Sequence, residues 1–381
     1  MCRHLNPMEN KRRLALLTAL SAAPAFAAPF LAIGENAELF VTASTSTRFE
    51  DNITLSNKNE RSDEIFEFTP GAELVFGKGS LTSGSLTVYE RFIAYSDHSQ
   101  YNDELANVLF RSSYEGAKIN LQSNASYVES SQATRDIQAI IASKELAAGV
   151  NGEITLTEKS KIGAGLQFSD LNYEPVSLPD RSTYTIPVNY FFAIRPKLDL
   201  STGIQYRNTN VDAAKADSDD YYFNVGARGE FTPKLIGNFN VGYNLREFDD
   251  SALDSEGSYG LKSGLTYLYS PKTQFNLDLS NDFATGSAGG GQEVLAATIG
   301  GSSNISADFT VRASLSYQQV DYLNSTPSRT DDYLVFSTSA TYTINEHATL
   351  TAAYTYLNNA SDVTTSEFSG NVLSISASFR Y

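Results

Sequence analysis

The chain ends on the stretch NVLSISASFRY, residues 371–381, in which apolar and polar side chains alternate. Successive side chains of a β-strand point to opposite faces, so this stretch predicts a strand with two different faces. One face carries Leu373, Ile375, Ala377, Phe379 and Tyr381, and the other is mostly serine. Such a strand at the end of a chain is typical of a closed barrel, in which the last strand pairs with the first and leaves no free edge.

The apolar face of this strand, with its final aromatic residue, resembles the C-terminal assembly signal of bacterial outer-membrane barrels. The resemblance implies that Leu373, Ile375, Ala377, Phe379 and Tyr381 form a membrane-assembly signal. It also implies that the barrel-assembly machinery is a partner of the protein. Phe is more common than Tyr at the last position of that signal, so Tyr381 departs from the usual pattern.

The start of the chain predicts export. A basic triplet at 11–13 is followed by an apolar run over 14–23 and by Ala-Phe-Ala at 25–27. This order is that of a secretory signal peptide, and we expect cleavage after the last of these alanines. The apolar run is too short to cross about 30 Å of hydrocarbon as a helix. We therefore predict a signal peptide over residues 1–27 and a single barrel domain over residues 28–381.

Composition narrows the class of protein. Cys2 is the only cysteine, so residues 28–381 would be held together without disulfides. Hydrophobic residues make up 41% of the chain, and no apolar stretch after the predicted signal is long enough for a transmembrane helix. A barrel fits this mild hydropathy because only half of each strand faces lipid. The formal net charge of −16 becomes −19 without residues 1–27, which argues against a nucleic-acid partner.

The middle of the chain repeats one unit, which consists of an alternating run, a tight turn and a second alternating run. Three of the turns contain proline: Arg195-Pro196-Lys197, Thr232-Pro233-Lys234 and Ser270-Pro271-Lys272. Proline suits the second position of a type I turn because its φ is already close to the required value. The pattern therefore predicts repeated β-hairpins. Less regular turns are expected at 77–80, 115–118, 157–160, 305–308 and 345–347.

Longer polar stretches separate these hairpins. They cover 51–64, 129–136, 174–181, 209–219, 247–257, 284–292, 321–331 and 358–369. Short turns at one end and long loops at the other are the layout of outer-membrane barrels, with turns in the periplasm and loops outside the cell. We predict an all-β fold, a transmembrane antiparallel up-and-down β-barrel of about eighteen strands. Sixteen is the alternative, because the runs at 85–95 and 105–114 alternate poorly and residues 137–141 fit either the start of a strand or a short loop helix.

Aromatic residues support a barrel over a soluble β-protein. The chain has 22 Tyr, 22 Phe and no Trp, and many of them stand at the ends of alternating runs. At the ends of strands an amphipathic aromatic ring suits the lipid headgroup layer. We therefore interpret these residues as the aromatic girdles of a barrel in outer-membrane lipid. The opposite faces are polar, as at Asn240, Asn244 and Arg246, and they predict a wet interior. The girdle residues are Tyr184, Tyr206, Tyr221, Phe231, Tyr243, Tyr259, Tyr269, Tyr317, Tyr333, Tyr354, Tyr356 and Tyr381.

Histidine placement argues against an enzyme or a metal protein. His4 lies in the predicted signal, His98 in a predicted loop and His347 in a predicted turn, so they do not form a multi-His centre. A His-based hydrolase on the outer side would have only His98, beside Asp97 and Asp103. We interpret it as a loop residue, because such a site also needs an oriented partner and a nucleophile. We expect no catalytic, cofactor-binding or metal-binding residues.

Acidic residues cluster near the predicted loops. The clusters at 217–220, 249–256 and 331–332 could bind Ca²⁺ at the cell surface. They lack the ordered spacing and the glycine of an EF-hand loop, so we interpret them as solvated charge. A net acidic lumen or mouth would favour cations over anions in transit.

A family resemblance lies in the first part of the predicted barrel. Residues 47–55 read TRFEDNITL and residues 62–71 read SDEIFEFTPG. They resemble the opening of the putative beta-barrel porin 2 family, in which an acidic-Asn-Ile/Val step ends the first strand and a strand with Pro-Gly follows. The resemblance implies an outer-membrane protein and no catalytic residues. Some members of that family accompany exopolysaccharide production.

The sequence thus predicts a porin-like channel in the cell outer membrane, which passes small hydrophilic solutes by diffusion and prefers cations. One alternative is a conduit or accessory for exopolysaccharide export, so that the solute would be a polysaccharide. Another is a structural barrel with a plugged lumen. The sequence leaves open which solute passes, whether the lumen is open and whether copies form an oligomer.

Overall fold

A computed structural model of the chain describes residues 28–174, 177–212 and 216–381. The predicted signal peptide lies outside the described residues. The strands are β1 (Leu31–Ile33), β2 (Ala37–Glu50), β3 (Asp63–Phe76), β4 (Thr82–Tyr95), β5 (Asp103–Glu115), β6 (Ile119–Thr134), β7 (Ala139–Thr155), β8 (Ser160–Tyr173), β9 (Arg181–Arg195), β10 (Leu198–Val211), β11 (Ser218–Thr232), β12 (Leu235–Phe248), β13 (Glu256–Ser270), β14 (Thr273–Thr285), β15 (Gly291–Asn304), β16 (Phe309–Tyr322), β17 (Arg329–Thr343), β18 (Ala348–Ser361) and β19 (Phe368–Arg380). Among the described residues, two short 3-10 helices cover Ser99–Tyr101 and Thr364–Ser366.

Within the described ranges, no helix is both long enough and apolar enough to cross a membrane.

Strands β2–β19 form one closed antiparallel ring. Each strand pairs with the next along the chain, and β19 pairs back onto β2 from Arg380 opposite Thr42 to Val372 opposite Glu50. The predicted barrel of about eighteen strands is therefore confirmed, with the short β1 as an extra strand. An even number of antiparallel strands brings both ends of the ring's chain to one end of the barrel.

The alternation seen in the sequence separates an outer face from an inner one. Strand β9 illustrates the outer face, where every second side chain is apolar and more than two-fifths exposed. These side chains are Tyr184, Ile186, Val188, Tyr190, Phe192 and Ile194. An exposed apolar band repeated around the ring suits lipid rather than water, because a bilayer leaves such side chains in an apolar medium.

The seam between β19 and β2 contains the residues of the predicted assembly signal. Leu373, Ile375, Phe379 and Tyr381 lie on the outer face and are 43–58% exposed. The amide of Tyr381 donates to the carbonyl of Val41, and the amide of Val41 donates back to the carbonyl of Tyr381. Beyond this point β1 pairs with the start of β2 and covers the edge that β19 leaves free. Recognition of this face by the assembly machinery stays a prediction.

Strand connections differ between the two ends of the barrel. The end that carries both termini, here the turn end, has the three proline turns where they were predicted, at residues 196–197, 233–234 and 271–272 between strands. The opposite end is called the loop end. Its described connections are 51–62, 96–102, 135–138, 174 with 177–180, 212 with 216–217, 249–255, 286–290, 323–328 and 362–367.

The loop-end connections are shorter than the polar stretches that predicted them. Residues 129–134 belong to β6, 209–211 to β10 and 358–361 to β18. The long strands have 13 to 17 residues, whereas about 9–11 residues cross the hydrocarbon. The walls therefore rise above the lipid at this end. Apolar alternation fades there because the outer face meets headgroups and water, so the sequence pattern resembles a loop.

Most of the predicted girdle residues lie on the outer face. Tyr243, Tyr259 and Tyr269 are 53–59% exposed, and the rings of Tyr206 and Tyr221 lie 5.5 Å apart on neighbouring strands. The prediction is wrong for Tyr333. Its ring lies on the inner face and makes a cation–π contact with Arg135, a residue of the β6–β7 connection that reaches across the mouth of the barrel.

Replacing Ile375 by Arg tests which face meets lipid. The Ile375 side chain is 53% exposed on the outer face, so the change places a charge in hydrocarbon and should lower the free energy of unfolding by about 2–4 kcal/mol. Urea titration of the protein folded in lipid vesicles measures it. The matched control is Ser376→Arg on the inner face, which should cost much less. Equal losses for the two variants would contradict the assignment of faces.

Candidate functional site

The inner face of the barrel is the candidate functional site, and two parts of its wall differ in chemistry. On β15–β19 the wall is built mainly from hydroxyl side chains. Thr298 bonds to Ser316 at 2.8 Å, Ser337 to Thr355 at 3.1 Å and Thr341 to Thr351 at 3.0 Å. These six residues define the hydroxyl wall. Their neighbours in sequence, such as Ile299, point outward and are exposed. The wall offers both donors and acceptors to whatever fills the interior.

The wall on β10–β14 carries charges of both signs instead. Near the loop end the Nε of Arg246 donates to Asp220 at 2.6 Å, and the Nε of Arg207 donates to the other oxygen of that carboxylate at 2.7 Å. Lys262 pairs with Asp282 at 3.1 Å, and Arg207 reaches the same carboxylate at 3.2 Å. We call these five residues the charge cluster. Each buried charge has a counter-charge, which offsets much of its desolvation cost.

A smaller set of paired charges lies nearer the turn end. Arg228 contacts Glu153 at 2.7 Å and Asp199 at 3.1 Å, and Lys161 contacts Asp199 at 3.2 Å. The guanidinium of Arg228 lies 3.4 Å above the ring of Phe191. The charges along this side of the lumen are thus largely compensated, although the chain as a whole is strongly acidic.

Part of the acidic excess lies on the outer face at the loop end. Tyr206 donates to Asp219 at 2.7 Å, and Tyr317 donates to Asp332 at 2.5 Å. Tyr127 likewise donates to Glu129 at 2.6 Å. We call these three acids the rim carboxylates. Each is held by a tyrosine of the outer face, where the apolar ring meets lipid and the hydroxyl meets water.

At the loop end β14 separates from β13, whereas β15 stays paired with β16 as far as Gln292 opposite Tyr322. Pairing between β13 and β14 stops at Leu261 opposite Asn281, whereas pairing between β14 and β15 continues to Thr285 opposite Gly291. The hairpin beyond residue 281 therefore separates from β13. We call residues 281–293 the β14–β15 tip. Asn281 and Phe283 continue the face of β14 that points outward farther down the strand. In the tip they are only 1% and 3% exposed, because the tip packs against the inner face of β12 and β13.

The charge cluster holds the base of this tip. Arg207 donates to the carbonyl of Phe283 and Arg246 to the carbonyl of Ala284, both at 2.7 Å. The side-chain amide of Asn281 donates to the carbonyl of Tyr259 at 2.7 Å. Pairing between β13 and β14 has stopped at Phe283 and Tyr259, so these side chains supply hydrogen bonds where that ladder no longer does. The cluster therefore fixes an inward-folded segment that narrows the mouth from one side.

The connection at 51–62 narrows the mouth from another side. Ile53 is 2% exposed and packs with Ile65, Ile93, Tyr95 and Leu105 in an apolar cluster on the inner faces of β3–β5. The polar side chains of this connection bond to backbone of the last strands, since the amide of Asn52 donates to the carbonyl of Ser369 at 3.0 Å. Among the described loop-end connections, residues 51–62 and the β14–β15 tip are thus inward inserts on different arcs of the ring, and the β6–β7 connection also reaches across the mouth.

The histidine considered for catalysis has a structural contact. His98 lies beside β4, and its Nδ1 is 2.8 Å from the carboxylate of Asp63, which also accepts backbone N–H groups of residues 96–98. This carboxylate organises the β4–β5 connection. In the described part of the chain, no three His, Cys, Asp or Glu side chains are grouped to hold a metal ion.

Sequence reasoning missed the charge cluster and misread two acids. Asp220 and Asp331 belong to clusters interpreted as solvated loop charge, yet both are buried, and Asp331 pairs with Arg329 at 2.6 Å. The available signal was the two-residue period: Asp220 shares the polar face of its strand with Tyr222 and Asn224. Arg246, placed on an inner face together with Asn240 and Asn244, was assigned correctly.

Comparison with known proteins gives one family and several structures. The family model for putative beta-barrel porin 2 matches residues 29–381. The fold is similar to that of OccK1 (OpdK) from Pseudomonas aeruginosa, with TM-score 0.51, 10% identity and coverage of 90% of this chain and 99% of that one. It is also similar to a BenF-like porin from Pseudomonas fluorescens Pf-5, with TM-score 0.50, 12% identity and coverage of 91% and 99%. No curated protein matches the chain.

Replacing Asp220 by Ala tests the energetic role of the charge cluster. The change leaves Arg246, which is 1% exposed, without its bidentate partner, and a buried charge stripped of its partner costs about 3–5 kcal/mol. Guanidinium unfolding of the protein in detergent micelles measures the loss. Asp254→Ala in the β12–β13 connection is the control and should stay within about 0.5 kcal/mol of the parent. A similar small effect at Asp220 would show that the cluster contributes little.

Proposed function

Because the chain belongs to the putative beta-barrel porin 2 family, we propose that this outer-membrane barrel is a channel for passive diffusion of small hydrophilic solutes. The turn end then faces the periplasm and the loop end faces the outside of the cell, as in other bacterial barrels. The proposed partners are outer-membrane lipids around the apolar band and solutes in the lumen. We propose a channel rather than an enzyme.

The observation that carries this proposal is the polar inner surface along the hydroxyl wall. Its Ser and Thr side chains are short and uncharged, and each hydroxyl donates one hydrogen bond and accepts others. Such a surface replaces part of a solute's hydration without binding it tightly, which is what passage through a pore requires. On the opposite side, charges that are already paired with each other attract a passing ion only weakly.

Cation preference has a different origin in this proposal. The paired charges on β7–β14 leave little net field along that side of the lumen, whereas the rim carboxylates Glu129, Asp219 and Asp332 stand near the outer mouth. Acidic side chains at a mouth raise the local concentration of cations. Charges in contact with solvent are screened over about 10 Å at 0.1 M salt and about 3 Å at 1 M. We therefore propose a modest cation preference that weakens as salt concentration rises.

The two alternatives differ from diffusion in what they require of the mouth. A conduit for exopolysaccharide needs a wide opening at the loop end, and the β14–β15 tip and the connection at 51–62 both narrow it. This ranks polysaccharide export below diffusion of small solutes. A plugged structural barrel requires that these two inserts never move. Conductance distinguishes that case directly.

Single-channel recording of residues 28–381, refolded in planar bilayers, tests the proposed function. We expect stable conductance steps and, in a KCl gradient, a reversal potential that indicates cation preference. The preference measured around 0.1 M KCl should decline when the whole gradient is moved toward 1 M, because the mouth charges are then screened. Protein that is verified as folded and inserted but never conducts would refute diffusion and favour the plugged barrel. A salt-independent preference would place the selecting charges inside the lumen.

A further inference from the structure

We propose that the β14–β15 tip is a movable gate over the outer mouth, and that Asp136 in the β6–β7 connection is the residue that holds it closed. The inference rests on the proposed channel function and extends it, because it names the contact that decides whether the passage is open. It is drawn from the contacts around Asp136, the way the tip is anchored, and the space beside it.

Asp136 joins two elements that lie far apart around the ring. The β6–β7 connection stands on the other side of the barrel from β14–β15 in the strand order. One oxygen of its carboxylate accepts the backbone N–H of Ser287 at 3.0 Å and the side-chain amide of Gln292 at 3.4 Å. The other oxygen accepts the hydroxyl of Tyr322 at 2.9 Å. A single side chain therefore ties the tip and β16 to a connection from across the mouth.

The connection that carries Asp136 has its own anchor. The guanidinium of the adjacent Arg135 lies 4.9 Å from the ring centre of Tyr333 and donates to Gln318 at 3.4 Å. These contacts place the connection on β16 and β17 independently of the tip. Removal of the Asp136 carboxylate should thus release residues 287–290 at the end of the tip and leave the connection in place.

The tip itself is built to move at its far end. Its base is fixed by Arg207 and Arg246 through the carbonyls of Phe283 and Ala284, and by Arg181 of β9 through the carbonyls of Thr285 and Gly286. Beyond that base, residues 287–291 read SAGGG, and Gly289 has φ +84°, a conformation that favours glycine. The end of the tip lacks pairing with β13, so side-chain contacts hold it on that side. A fixed base and a glycine-rich end are the arrangement of a hinged segment.

A cavity beside the carboxylate provides space for opening. It has a volume of about 310 Å³ and lies between the tip and the β16–β17 connection, with Asp136, Gly286, Gln292, Tyr322 and Arg329 in its lining. The surface that lines this cavity is mainly apolar, and the space gives the end of the tip room to shift. The hydrogen bonds of Asp136 therefore favour the closed arrangement, and their loss leaves the end of the tip room to open.

The gate is tested by recording Asp136→Ala in planar bilayers beside the parent protein. Hydrogen bonds to a charged group are individually strong, so their loss should raise the ratio of open to closed time about tenfold or more. Asp254→Ala, on the same rim in the β12–β13 connection, is the control and should gate like the parent. Identical gating of Asp136→Ala and the parent would overturn the proposal.

A cross-link gives a second, independent readout. Residues 28–381 contain no cysteine, so the double variant Asp136→Cys with Ser287→Cys has one possible intramolecular disulfide. We expect conductance to fall when the disulfide is formed and to rise to the level of Asp136→Ala when it is reduced. Conductance that ignores the oxidation state, with the bond verified by mass, would overturn the gate while leaving the channel function standing. Silence of the parent and of all variants, folded and inserted, would instead refute the channel function itself.

Discussion

Pairing of every backbone N–H and C=O inside the sheet is the constraint on which the rest of this structure depends. Hydrocarbon offers no partner for these groups, so a spanning sheet must close on itself. Closure is made by β19 on β2, and β1 covers the remaining edge of β2 at the turn end. From closure follow the even number of ring strands, the common end for both termini and the strict division into an outer and an inner face. The last residues of the chain are apolar outward because they complete the ring in lipid.

The same division explains the inside. The apolar side chains of the barrel face lipid, so the inner face can be polar. Two parts of the inner face are polar in different ways. Hydroxyls line β15–β19, while β10–β14 bury compensated charges. The buried charges do more than line a wall: Arg207 and Arg246 hold carbonyls of β14 beyond the point where it separates from β13. Where backbone pairing between β13 and β14 stops, arginine side chains donate hydrogen bonds to the backbone instead. These bonds hold the inward-folded tip at the mouth of the barrel.

Much of the fold was predictable from the sequence, because lipid enforces a period of two along each spanning segment. The proline turns after Arg195, Thr232 and Ser270 and the outer face of the last strand all lie where the pattern placed them. Above the lipid both faces are wet, the period loses its contrast, and residues 129–134 resembled a loop although they extend β6. Burial of Asp220 and the inward position of Tyr333 depend on partners from other strands. The inward fold of the β14–β15 tip depends on where pairing with β13 stops, which one strand's pattern does not encode.

Cysteine labelling along β19 tests the central claim most directly, namely that successive side chains of one strand alternate between lipid and a polar lumen. Residues 28–381 lack cysteine, so single cysteines at positions 372–380 can be introduced into protein embedded in bilayers and treated with a membrane-impermeant maleimide. The account predicts labelling at Ser374, Ser376 and Ser378 and protection at Leu373, Ile375 and Ala377. Uniform labelling, or labelling of the second set alone, would contradict the closed barrel with a water-accessible interior.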